Sequence, residues 1–186
     1  MAKVILGTTM SLDGFINDRS GGIGALYADL ENWRESESGR ESIQNTGAVI
    51  MGRNSFNLAE DPDLYADHYE YQVPVFVLTH HPPERRPREN GRISFTFVTD
   101  GIHSAVAQAK AAAGDKEVNI IGAPNTARQC LAAGLADELY IDIMPVLLGG
   151  GLRFFEGLDA ASIRLERIQV IELPSGRTCM KFRILP

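Results

Sequence analysis

Short apolar runs recur along the whole chain at intervals that suit β-strands separated by helices. Strands are predicted near residues 3–10, 47–51, 74–79, 94–99, 117–122, 138–147, 163–171 and 178–185. Helix-compatible stretches between several of them predict helices at about 28–44, 102–113 and 125–133. Strands that alternate with helices in this way indicate an α/β fold, with helices covering a mixed, mostly parallel sheet of about eight strands.

The end of the chain has a different pattern. Apolar residues at positions 180, 182 and 184 alternate with Lys181 and Arg183 directly after the turn Pro174-Ser175-Gly176. This alternation predicts a C-terminal antiparallel hairpin with one more solvent-exposed face. The one linker-like stretch, residues 80–91, is predicted to be a surface loop, so residues 1–186 are expected to form a single domain.

The charge balance excludes some classes of partner. With 18 basic and 24 acidic residues the net charge is −6, which disfavours general affinity for nucleic acid or for an anionic membrane surface. The chain enters its first strand without the long apolar core of a signal peptide, so we expect a cytoplasmic protein. Cys130 and Cys179 belong to no CxxC or Cys/His grouping, which predicts two reduced thiols and no metal site.

Two predicted strands end in turns whose chemistry suits an anion. The apolar run Ala48–Met51 leads into Gly52, Arg53, Asn54 and Ser55. Gly52 permits close approach to the backbone, Arg53 supplies a forked cation, and Asn54 or Ser55 is predicted to cap the following segment. An arginine that only solvates a loop is the alternative interpretation.

The second such turn follows the run Val118–Ile121. Gly122 and Ala123 lack bulk, and Asn125 or Thr126 is predicted to cap a helix whose unpaired N–H groups suit a pyrophosphate. An ordinary strand-to-helix turn is the alternative. Because ligands of open α/β sheets bind at the carboxyl ends of strands, two such turns in one sheet suit a dinucleotide.

A third turn, Asp13-Gly14, follows the first strand, and together these features support a family assignment. The chain resembles the dihydrofolate reductase superfamily and, more narrowly, stand-alone relatives of the reductase domain of bacterial riboflavin biosynthesis. The resemblance spans nearly the whole chain and rests on five segments in order: the first strand, the turn Ser11-Leu12-Asp13-Gly14, the segment Met51-Gly52-Arg53-Asn54-Ser55-Phe56, the turn Ile121-Gly122-Ala123, and the run Pro145–Gly151. It implies a dihydrofolate reductase-like, three-layer αβα fold.

The resemblance also implies NADPH as the cofactor and assigns residues to it. Gly52–Ser55 match the turn that holds the phosphates, and Leu78 and Thr79 match a strand end that borders the adenosine ribose. Gly122 and Ala123 match paired glycines beneath the pyrophosphate, with Asn125 and Thr126 following at the helix start. Thr9 falls where the first strand meets the nicotinamide carboxamide, and Ile16 lies in a mobile loop that covers the ring.

Reduction of a C=N bond also needs a proton donor, and Asp29 is the first candidate. Counted without a gap from the Asp13-Gly14 turn, Asp29 falls on the segment whose carboxylate holds the pterin ring in dihydrofolate reductases. A helix cap is the alternative role for Asp29. Glu31, Asp13 and Asp142 are further candidates, although an inward acid at Asp142 would be costly unless paired.

The sequence therefore predicts an NADPH-dependent reductase that transfers a hydride to a small nitrogen heterocycle, pterin-like or aminopyrimidine-like, or to a related imine or carbonyl. The activity is expected to resemble that of 5-amino-6-(5-phosphoribosylamino)uracil reductase or dihydrofolate reductase. The zinc-ligand spacing of a deaminase domain is absent. The resemblance also implies a homodimer. A non-catalytic nucleotide-binding or regulatory module, or a pocket that holds a flavin nucleotide, are the alternatives.

Overall fold

A computed structural model describes residues 2–122, 124–159 and 163–185. Eight strands form one sheet within these residues: β1 (Val4–Ser11), β2 (Thr46–Gly52), β3 (Pro74–Leu78), β4 (Ser94–Val98), β5 (Glu117–Ile121), β6 (Glu138–Met144), β7 (Arg164–Glu172) and β8 (Thr178–Leu185). Their order across the sheet is β4-β3-β2-β5-β1-β6-β8-β7. Strands β1 to β6 run parallel, and β8 pairs antiparallel with β6 and β7. The predicted mostly parallel sheet with a C-terminal antiparallel hairpin is confirmed.

The described residues form six α-helices: α1 (Leu30–Glu35), α2 (Glu37–Asn45), α3 (Arg53–Phe56), α4 (Tyr65–His68), α5 (Ile102–Ala113) and α6 (Pro124–Ala132). The single helix predicted over residues 28–44 is interrupted at Ser36. The Ser36 Oγ accepts a hydrogen bond of 3.0 Å from the Gly39 N–H and so caps α2. The same hydroxyl donates to the Trp33 carbonyl oxygen at 2.7 Å, which ends α1. The chain therefore makes two short helices that meet at an angle.

Side chains alternate between two layers along the strands. On one face, Ala48 and Ile50 of β2 and Phe76 of β3 pack with apolar residues of α5 and α6. On the other face, Val49 and Met51 of β2 pack with residues of α1 to α4. This separation follows from the two-residue period of a strand, and it produces the predicted three-layer arrangement.

Two helix starts differ from the sequence-based expectation. Helix α3 begins directly after Gly52, which occupies the N-cap position without a side-chain hydrogen bond, so residues 54–55 lie inside the helix. Helix α6 begins at Pro124, and residues 125–126 lie in its first turn. The prediction that Asn54 or Ser55 caps α3 is wrong, because Gly52 occupies the N-cap position. The position before Pro124 is residue 123, which lies outside the described residues, so the predicted cap of α6 stays a prediction.

Candidate functional site

Four neighbouring strands carry polar side chains on the sheet face that α1 and α2 cover. Thr9 on β1, Asn119 on β5, Asp142 on β6 and Lys181 on β8 alternate with residues of the apolar core. A cavity remains between these strands and the two helices, and we call it the tyrosine cavity. Its further lining residues include Gly7, Tyr27, Trp33, Ser38, Ser42, Glu70, Tyr71 and Tyr140.

A second cavity, which we call the glycine groove, opens where β1, β2 and β5 end. It is lined by Ile16, Asn17, Gly21, Ile23, Ser55, Leu58, Gly122, Pro124 and Leu152, together with Thr8, Thr9 and Tyr27. None of the described residues that line it is charged. Thr8, Thr9 and Tyr27 line both cavities. Molecules bound in the two cavities would therefore meet at the carboxyl end of β1.

Gly122 brings the turn after β5 against the turn after β2. Its φ is +90°, a value that glycine adopts without strain, and a Cβ at this position would lie 2.2 Å from the Ser55 Oγ. Only a residue without a side chain permits this approach, so the two turns form one wall of the glycine groove. The nine-residue helix α6 begins at Pro124 on the same wall, and the unpaired N–H groups of a helix start favour an anion. These features fit the pyrophosphate of a dinucleotide.

The loop after β1, which covers the glycine groove, is held by the loop after β6. The Asp13 carboxylate accepts a hydrogen bond of 2.8 Å from the Gly149 N–H, and the Ile16 N–H donates to the Leu152 carbonyl oxygen at 2.9 Å. A hydrogen bond from the Ser11 hydroxyl is the largest of the effects that lower the pKa of Asp13 to about 2. Asp13 is therefore an ionised anchor of this loop rather than a proton donor.

A buried arginine lies behind the tyrosine cavity. Arg177 is 2% exposed and binds Asp29 through two hydrogen bonds, Nη2 to Oδ1 at 2.5 Å and Nε to Oδ2 at 3.0 Å. Its Nη1 donates to the Asp142 Oδ2 at 2.9 Å and to the Thr9 Oγ1 at 3.2 Å. The remaining contact is a hydrogen bond of 3.1 Å from Nη2 to the Leu26 carbonyl oxygen. One guanidinium thus joins β1, β6, β8 and the start of α1.

The two carboxyl groups that share Arg177 differ in acidity. The hydrogen bonds from Arg177 lower the pKa of Asp29. Burial raises the pKa of Asp142 in spite of its contact with the same guanidinium. The Cys179 thiol and Arg177 both hydrogen-bond to Asp142, and these contacts oppose the effect of burial on its pKa. Asp142 is the carboxyl group of this pair that lines the tyrosine cavity, so it is the candidate proton donor there.

Four of the predicted cofactor residues, Thr9, Ile16, Ser55 and Gly122, meet in the glycine groove. Ala123, predicted to lie beneath the pyrophosphate, is outside the described residues.

The other predicted cofactor residues are not among the groove's lining residues. Asn125 is exposed and Thr126 is buried in the first turn of α6. Gly52, Arg53, Asn54, Leu78 and Thr79 cluster where β2 and β3 end side by side. There the Arg53 Nη1 and the Thr79 Oγ1 both donate to the His81 carbonyl oxygen, at 3.3 and 2.9 Å.

The geometry argues against the predicted role of Asp29. Its carboxylate is occupied by Arg177 and by the Ser175 hydroxyl, which donates to Oδ2 at 2.7 Å. Asp29 lines neither cavity, and its lowered pKa opposes proton donation at neutral pH. Asp29 stands at the N-cap position of α1 but makes no capping hydrogen bond, so the alternative role is absent too. Asp142, a weaker candidate, was expected to be costly in the core unless it was paired. It pairs with Arg177, so that condition is met.

Sequence reasoning missed Arg177, Asn119, Glu70 and Tyr27. Asn119 could have been found from the sequence, because it is a lone polar residue between Val118 and Ile120 in a buried strand. Arg177 gave no local signal, since its partner Asp29 is 148 residues away.

No group of three or more potential ligands in the described residues could hold a metal ion. No helix in this part of the chain is long and apolar enough to cross a membrane.

Comparison with known proteins gave a family and a fold. The model of the RibD C-terminal domain family matches residues 2–177. A crystal structure from Shewanella sp. PV-4, of a protein assigned provisionally to riboflavin biosynthesis, is 25% identical with a TM-score of 0.77, and the match covers 100% of both chains. The diaminohydroxyphosphoribosylaminopyrimidine deaminase/5-amino-6-(5-phosphoribosylamino)uracil reductase of Thermotoga maritima is 14% identical with a TM-score of 0.66, and the match covers 99% of this chain and 57% of that one.

Dihydrofolate reductase from Enterococcus faecalis, complexed with NADP(H), is also similar in structure. It is 14% identical with a TM-score of 0.62, and the match covers 99% of this chain and 97% of that one. These matches confirm the predicted resemblance to the riboflavin-type reductase domain and the predicted dihydrofolate reductase-like fold.

Proposed function

Because the chain belongs to the RibD C-terminal domain family, we propose that it is an NADPH-dependent reductase of a small nitrogen heterocycle or a related imine or carbonyl. One observation carries the proposal: the glycine groove and the tyrosine cavity share Thr8, Thr9 and Tyr27. A reductase of this kind must bring a cofactor and a substrate into contact while each has its own binding surface. The fold provides these two surfaces on either side of the end of β1.

The described residues divide the work of cofactor binding. Gly122 and Ser55 form a groove wall that would hold the cofactor, and the start of α6 would supply N–H groups for its pyrophosphate. Arg53, at the end of β2, lies within one turn of Ser55 and supplies positive charge for a phosphate. Thr9 borders the end of the groove at which the two cavities meet, and Ile16 lines the groove alone. When bound, NADPH supplies the hydride and leaves as NADP⁺.

Asp142 completes the reaction on the substrate side. Reduction of C=N or C=O adds a hydride to the carbon and a proton to the heteroatom, so the pocket must provide one proton for each hydride. We assign that proton to Asp142, because Asp142 lines the cavity wall and burial raises its pKa, whereas Asp29 accepts two hydrogen bonds from Arg177. After donation, the Asp142 carboxylate keeps its hydrogen bond from Arg177 until it takes up a proton from solvent.

The test has a binding step and a turnover step. NADPH and NADH are titrated by fluorescence, and oxidation of the bound cofactor is then followed with dihydropterins, aminopyrimidines and simple carbonyls. We expect saturable binding of NADPH and oxidation by at least one nitrogen heterocycle. Binding without oxidation across the panel would favour a nucleotide-binding module. Absence of saturable binding by either cofactor would refute the reductase.

A further inference from the structure

The charges around the tyrosine cavity form a pattern that restricts the substrate. Three cations lie at or behind its walls: Arg177, Arg34 and Lys181. Five carboxyl groups pair with them in the described residues: Asp29, Asp142, Glu31, Glu70 and Glu41. Acidic groups therefore outnumber cations, and each cation already has a partner. A phosphate needs an uncommitted cation or several free N–H donors. In the described residues each of these three cations is ion-paired, and the buried Arg34 Nε, which lacks a hydrogen-bond partner, belongs to a residue that does not line the cavity.

Lys181 is the cation that lines the cavity, and its charge is committed to an acidic partner. Its Nζ lies 2.6 Å from the Glu41 Oε2 and 5.0 Å from the centroid of the Tyr140 ring. The side chain is 12% exposed, so the ion pair with Glu41 is shielded from water on the lysine side. A phosphate entering the cavity would have to compete with Glu41 for this ammonium group.

Asn119 supplies an independent observation that points to a ligand. It is 5% exposed and lines the cavity, and its Oδ1 is buried without a hydrogen-bond partner in the described residues. The amide N–H of the same side chain donates to the Thr46 Oγ1 at 3.3 Å, which fixes the oxygen as the free end. A Cβ at Gly7 would lie 3.2 Å from that oxygen, so the glycine leaves space beside it. A buried unpaired acceptor is costly, and an N–H group of a ligand would satisfy it.

From these observations we propose that the tyrosine cavity takes an amino-bearing, flat heterocycle without a phosphate group, neutral or cationic. The proposal rests on the proposed reductase and names its substrate class. Asn119 Oδ1 and the Glu70 carboxylate accept hydrogen bonds from ring or exocyclic N–H groups, and Trp33 with Tyr71 supplies aromatic walls. With Asp142 protonated, four carboxylates still accompany three cations, and this excess repels a phosphorylated form. The chain therefore differs in substrate from a reductase whose substrate carries a phosphoribosyl group.

The experiment compares two ligands that differ in the phosphate alone, 5-amino-6-(ribosylamino)uracil and its 5-phosphate ester. Calorimetric titration under anaerobic conditions, with and without NADPH, gives the affinity for each. We expect the unphosphorylated ligand to bind at least tenfold more tightly than its ester. Equal or tighter binding of the ester would overturn the proposal, and so would failure of both to bind.

A charge variant tests the physical reason. Glu41→Gln removes the partner of Lys181, so we expect the affinity for the ester to rise severalfold while the affinity for the unphosphorylated ligand stays unchanged. Glu37→Gln removes the same charge from the same helix at an exposed position and should change neither affinity. If the ratio of the two affinities is unchanged in Glu41→Gln, the role given to the Lys181–Glu41 pair is wrong.

The two proposals fail separately. If the unphosphorylated ligand binds with the predicted preference but NADPH does not bind, the reductase is wrong and the substrate class stands. If NADPH binds and the phosphate ester is preferred, the reductase stands and the substrate class is wrong.

Discussion

Asp142 and Asp29 contact the same guanidinium, yet only Asp142 has a raised pKa and a position on the cavity wall. We expect Asp142→Asn to lower kcat by about 10²–10⁴-fold, because the amide accepts the hydrogen bond from Arg177 but holds no transferable proton. The wild-type rate should fall as the pH rises through the raised pKa of Asp142, and the variant should lack this fall. Measurement of kcat against pH in both proteins checks the prediction, and identical profiles would contradict it.

Asp29 contributes to the stability of the fold rather than to catalysis. Its pKa is lowered from 3.8 in the folded state, so its contribution is complete above that ordinary value and is lost as the pH falls through the folded value. We expect Asp29→Asn to unfold more easily at neutral pH, by about 3 kcal/mol, since it breaks a buried pair. The difference from wild type should shrink below pH 3.8. Urea unfolding across this range measures it, and a constant difference would show that the carboxylate is not responsible.

At the scale of single residues, the sequence predicted which residues line the groove better than it predicted the role of each residue. Gly122 and Ser55 were recognisable because a strand that ends in small residues exposes its backbone, and the structure brings both into one groove. The sequence favoured Asp29 as the acid because sequence position does not show which carboxyl group binds the buried guanidinium. That information is in the fold, which joins Arg177 to residues far away in the chain.

The crossing of α1 and α2 depends on one glycine. A Cβ at Gly39 would lie 1.9 Å from the Trp33 carbonyl oxygen, which belongs to the backbone and cannot rotate away. We expect Gly39→Ala to cost about 1–3 kcal/mol of stability and to weaken ligand binding, because these helices cover the tyrosine cavity. Gly24→Ala is the matched control, since a Cβ there meets no atom within 4 Å. Thermal unfolding of both variants checks the prediction, and equal melting temperatures would contradict it.

Elements were more predictable than the contacts between them. Strand positions follow from apolar runs and alternation, and the observed strands agree with them within about three residues at each end. The long helix predicted over residues 28–44 divides at Ser36 because its hydroxyl offers the backbone a capping bond. Helix propensity alone does not reveal this break, because it depends on the hydrogen bonds that Ser36 makes with both Trp33 and Gly39.

On the scale of the whole molecule, one edge strand of the sheet exposes apolar side chains. Strand β7 is the last in the sheet, and Leu165, Ile168 and Val170 on it are 42–45% exposed. Together with the family resemblance, this surface leads us to propose a homodimer. Light scattering should give twice 20.3 kDa for the wild type and a monomer for Val170→Glu, with Leu64→Glu, at an exposed site outside the sheet, as control. A monomeric wild type across a broad concentration range would contradict the dimer.

The central claim concerns the glycine groove as the binding site of NADPH. The most direct measurement is a titration of NADPH into the wild type and Gly122→Ala, in which a Cβ would overlap the Ser55 Oγ and distort the groove wall. We predict saturable binding by the wild type, affinity at least tenfold lower for Gly122→Ala, and unchanged affinity for Gly24→Ala. No saturable binding by the wild type, or equal affinity in Gly122→Ala, would contradict the account.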